Sequence, residues 1–76
     1  MPTVLRKKGF RFVINTDDHE PPHVHVFKAG EKVAIDLKVI RVRKVLGMSK
    51  TNVGKAVEIA EDHQSFLLSE WRRFHP

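Results

Sequence analysis

HVHVFKAGEKVAIDL, residues 23–37, decides the fold. Two runs rich in β-branched residues alternate with period two on either side of Ala29-Gly30, which predicts a β-hairpin. A two-residue turn sets the register. Lys28 lies opposite Glu31, Phe27 opposite Lys32 and Val26 opposite Val33. His25 then faces Ala34, Val24 faces Ile35 and His23 faces Asp36. Val24, Val26, Val33 and Ile35 all fall on one face, and a slip of one residue would move them off it. His23, His25, Phe27, Ala34 and Asp36 share the opposite face.

Upstream, TVLRKKGFRFVIN repeats the pattern, with Thr3–Lys7 and Phe10–Asn15 flanking Lys8-Gly9. This second hairpin puts Leu5, Phe10, Phe12 and Ile14 on the core face, and Val4, Arg6, Arg11 and Val13 on the other. TDDHEPP, residues 16–22, is a loop, because two aspartates and two prolines disfavour both helix and strand. Downstream, KVIRVRK predicts a charged edge strand at residues 39–44, with Ile40 and Val42 facing one way and Arg41 and Arg43 the other.

Ser49 is a suitable N-cap for a helix beginning just after it. Val53, Val57, Ala60, Leu67, Trp71 and Phe74 recur at helical spacing, with Gln64 holding its place in the series. Ala56, Ile59 and Phe66 widen the stripe. Because the stripe stays in phase, it predicts one helix of about 25 residues, with Gly54 its weak point. The class is α+β: a small antiparallel sheet of four to five strands, covered on one face by a long C-terminal helix. One helix covers one face, so the other is open. Trp71 belongs to the core stripe, and Arg72 and Arg73 suit a helix C-terminus. His63 and His75 have no partner by spacing.

A chain of 76 residues is one domain. At this length about 60% of the unfolded surface is buried, so stability is narrow. Without cysteine there is neither disulfide nor thiolate zinc, leaving dimerisation or a histidine-ligated metal as supplements. No apolar run suits a signal peptide or a membrane span, and a soluble cytoplasmic protein with no membrane partner is expected. The net charge is +5. The positive residues form two groups: Arg6, Lys7, Lys8 and Arg11, then Lys38, Arg41, Arg43, Lys44 and Lys50, with no acid between Asp36 and Glu58. Such a surface points to RNA, DNA or an acidic protein as partner.

The open face therefore carries His23, His25, Phe27, Asp36 and several arginines, a mixture suited to binding or to a homodimer contact. Arg6, Arg11, Arg41, Arg43, Lys44 and Phe27 are the candidate partner-binding residues. His23 and His25, at i and i+2 of a strand, project side by side. That spacing suits two ligands of one divalent transition metal such as zinc, with His19, Asp17, Asp18 or Asp36 as third ligand. The same pair, with Asp36 holding His23 and arginines facing a phosphate, also suits metal-free acid–base cleavage of RNA. A third reading makes the histidines plain interface residues, with Pro21-Pro22 setting the strand's entry angle, a cis bond at Pro22 being one way to do so. No glycine-rich phosphate loop or nucleophile elbow is present.

MPTVLR at 1–6, GFRF at 9–12, HEPPHVHV at 19–26 and EWRRF at 70–74 resemble the small bacterial proteins grouped as domain of unknown function 4160. The family signature falls on Pro21, Pro22, His23 and His25. The resemblance implies a stand-alone protein, encoded beside a second small protein in an arrangement like a toxin–antitoxin pair. It brings no established activity; no cofactor is expected, with a divalent transition metal such as zinc as the alternative.

Overall fold

Ala29 and Gly30 adopt φ values of 50° and 81°, the left-handed pair of a tight hairpin turn whose twist matches its strands. Lys8 and Gly9, at 53° and 83°, build the first hairpin in the same way. The computed structural model describes residues Pro2–Pro76. It has β1 (Thr3–Lys7), β2 (Phe10–Val13), β3 (His23–Lys28), β4 (Glu31–Asp36) and β5 (Arg41–Leu46), followed by α1 (Lys50–Asp62) and α2 (Gln64–Phe74). The strands form one antiparallel sheet in chain order. Among the described residues no helix is long and apolar enough to cross a membrane.

The β3–β4 register matches the expected one at all six pairs, from His23–Asp36 to Lys28–Glu31. Phe10, Phe12, Val24, Val26, Val33 and Ile35 are buried on the helix side with Ala56, Ile59, Ala60, Leu67 and Trp71. Ser49 caps α1, its hydroxyl accepting from the Asn52 N–H at 3.2 Å.

Three details depart from the pattern. First, Thr3 rather than Val4 pairs with Val13, through a bulge that turns Val4 toward the core instead of the open face. Second, β5 begins at Arg41, because Leu37–Ile40 form the turn that reverses the chain. A bulge at Arg43 then puts Lys44 opposite Ala34, on the open face, while Val42 and Val45 pair with Ile35 and Val33. Third, the expected single helix is two. His63, at φ −121° and ψ 21°, leaves the helical basin. Its ring Nδ1 lies 2.9 Å from the Ile59 carbonyl and competes for the backbone ladder. Gln64 then donates to the Leu37 and Lys38 carbonyls at 2.7 and 3.0 Å, tying the start of α2 to the β4–β5 turn. Phe66 is not part of the core and stands 45% exposed.

Candidate functional site

The alternation of β3 sends His23, His25 and Phe27 to the face opposite Val24 and Val26, and two neighbouring environments develop there. The loop before β3 folds back over the His23 end. The Asp18 N–H donates to the Asn15 carbonyl, closing a turn, and the Leu37 N–H donates to the Pro22 carbonyl, holding the loop's far end to the sheet. The cis bond of this loop is Glu20–Pro21 and not the bond before Pro22.

This places Asp18 over both histidines. Its Oδ2 lies 3.0 Å from His23 Nε2 and 2.8 Å from His25 Nε2. The rings meet edge to face, with centroids 5.3 Å apart. His23 Nδ1 lies 2.9 Å from the Pro21 carbonyl. His23 is buried, and its ring also rests against Trp71 at 5.3 Å. Trp71 donates from Nε1 to Glu20 at 2.7 Å and stacks on His75 at 3.8 Å, so the end of α2 braces the loop. Burial works to raise the pKa of the Asp18 carboxyl, but the His25 hydrogen bond, the two histidine charges and a hydrogen bond from Asn15 outweigh it. The net shift is below the ordinary value.

Asp36 does stand opposite His23 in the ladder. Its Oδ1, however, lies 3.4 Å from Arg43 Nε, a contact bent away from hydrogen-bond geometry. Of the four candidate third groups, Asp18 is the one that converges with the pair. His19 and Asp17 are exposed in the loop.

At the other end, Arg11, Phe27 and Lys32 stand in one cross-strand row. Arg11 Cζ lies 4.9 Å and Lys32 Nζ 5.5 Å from the centre of the Phe27 ring. Arg6 extends the row on β1. Lys32 and Lys44 also flank a cavity of about 200 Å³ that His25, Ala34 and Leu46 complete, so the two environments meet at His25. Arg41 pairs with Asp36 at the sheet's edge. A larger cavity, about 370 Å³, lies between the first turn and α1. Glu58 and Asp62 stand among its lysines, and Lys28 covers the Phe10 ring at 4.5 Å, so its charge is of mixed sign.

Lys32 was not singled out from the sequence, although the predicted register already set it beside Phe27. The Glu20–Trp71–His75 brace carried no such signal, since it joins residues 51 positions apart.

Residues 9–72 match the family model described as Domain of unknown function (DUF4160). No curated protein and no solved structure matches the chain.

Proposed function

We propose that this chain, which belongs to the domain of unknown function 4160 family, is a binding module for single-stranded nucleic acid, acting through the open face of its sheet. The Arg11–Phe27–Lys32 row carries the reading. An aromatic ring and a guanidinium plane give bases a stacking surface without demanding a sequence. Lys32 serves twice, beside the ring and at the rim of the cavity shared with Lys44. A strand with one base against Phe27 can place an adjoining phosphate between the two lysines. Arg6 and the net charge of +5 extend the attraction.

Fluorescence anisotropy with labelled single-stranded RNA and DNA tests this. Binding should weaken linearly on a log–log plot against salt, with a slope of about −0.7 for each phosphate contact. Binding that ignores salt, or none at all, overturns the reading.

A second reading, a cognate small protein, is favoured by one observation. Every residue of the edge strand β5 is exposed, including Val42, Val45 and Leu46. Such an edge can accept another strand, from a partner or from a second copy of the chain. Metal-free RNA cleavage has less geometric support, because Asp18 already engages Nε2 of both histidines and His25 Nδ1 is buried.

A further inference from the structure

We infer that Asp18, His23 and His25 form a binding site for one divalent transition-metal ion. His23 supplies the first argument. Its Nδ1 faces the Pro21 carbonyl at 2.9 Å and its Nε2 faces the Asp18 carboxylate at 3.0 Å, both acceptors. A neutral imidazole has one N–H and cannot donate in both directions. With the proton on Nδ1, a lone pair and a carboxylate oxygen face each other at contact distance. Only a second proton or a cation resolves that opposition. An Nδ1–H held by a backbone carbonyl is also the support that fixes a metal-bound histidine's tautomer and aims its other nitrogen.

The spacing supplies the second argument. His23 Nε2, His25 Nε2 and Asp18 Oδ2 all lie within 4.8 Å of one another. Ligands about 2.0–2.1 Å from an ion stand roughly 3 Å apart when they subtend a right angle, and a few tenths more in a tetrahedron. The 2.8 and 3.0 Å separations lie close to the first value. Two of the three ligand separations thus already suit a single ion.

The scaffold is suited to holding it. Both histidines stand on a central strand, and the loop carrying Asp18 is tied to the sheet through Pro22 and to α2 through Glu20. The side chains are 8%, 14% and 28% exposed for His23, His25 and Asp18, so the entrance is on the Asp18 side. Two imidazoles and one carboxylate select a borderline ion such as zinc or iron(II) over calcium or magnesium, which prefer oxygen shells. Three protein ligands leave at least one position for water.

The test uses untagged full-length protein stripped with chelator, then titrated with Zn²⁺ and with Co²⁺ against a competing chromophoric chelator. One equivalent should bind, and Co²⁺ should show the absorption bands of an ion with few ligands. Asp18→Asn keeps the shape of the side chain but removes the anionic ligand. It should weaken binding by more than the roughly 10–100-fold that removing a ligand's hydrogen-bonded support costs. His25→Gln should do the same, and Asp36→Asn should change nothing. Should His23→Ala fail to fold, these variants still decide the matter. No uptake by the wild type overturns the site, as does uptake that Asp18→Asn leaves intact, which would place the ion on other histidines.

Discussion

The two ends of one sheet face behave differently, although a single strand supplies both. His23 and Phe27 point the same way from β3, four residues apart. His23 is sealed under a loop, with both ring nitrogens engaged. Phe27 stays partly exposed between two cations. Strand alternation chooses the face, but the connection before the strand decides what that face meets. At the His23 end the loop returns its own carboxylate. At the Phe27 end the neighbouring strands offer cations, and no loop among the described residues covers the ring, which stays partly exposed.

The comparison breaks hardest at His23. His23→Ala removes a buried ring packed on Trp71 and leaves Asp18 with His25 alone beside a void. The expected cost is about 2–4 kcal/mol of folding stability, measured by urea unfolding. For a domain this small that is on the order of half the total. An equally large loss from Phe27→Ala would mean that the two ends are not the separate environments described.

Phe27→Ala should act on binding instead. Loss of the stacking surface should weaken single-stranded nucleic acid by about 1–3 kcal/mol in anisotropy titrations, with the urea midpoint nearly unchanged. Arg11→Ala and Lys32→Ala should each lower the salt slope by about 0.7 for every phosphate that the native side chain neutralises. His25→Gln, at the junction, should change binding less than Phe27→Ala does.

How much of this contrast was legible in the sequence depends on how local its cause is. The β3–β4 register follows from the turn and from alternation, so the shared face of His23, His25, Phe27 and Asp36 was readable. Asp36 was placed correctly in the ladder, yet a register position does not aim a carboxylate, and this one approaches Arg43. Asp18 was one of four choices, because a loop of aspartates and prolines has no period to extrapolate. The bulges at Val4 and Arg43 are single inserted residues and leave no periodic trace. The break at His63 was invisible for the opposite reason. The apolar stripe runs in phase straight through it, and Gln64, which holds its place in that series, is the residue that ties α2 to the β4–β5 turn.

A pH series separates the ends without changing their shape. The Asp18 carboxyl is held below its ordinary value of 3.8, since the His25 hydrogen bond, the histidine charges and Asn15 together outweigh burial. A carboxyl whose folded pKa is depressed adds stability that is fully present above the unfolded value and is lost as pH falls through the folded one. Urea unfolding below pH 3.8 should therefore show a steeper acid loss in the wild type than in Asp18→Asn. Arg11→Ala, at the open end, should keep the wild-type slope.

The smallest expected effect comes from a position remote from both ends. Gly54 lies inside α1, and a methyl group built there meets no atom within 4 Å. Its φ is not in the left-handed region, so alanine fits the existing backbone. Gly54→Ala should raise stability by about 0.5–1 kcal/mol, chiefly by restricting the unfolded chain. The gain should appear as a higher urea midpoint, with nucleic-acid affinity and the acid slope both unchanged. A shift in the acid slope would show that the Asp18 loop senses the stability of α1, and that the closed end is coupled through the Trp71 brace to the whole helical layer. An unchanged slope would make that end a local unit, held by the loop and strand that build it.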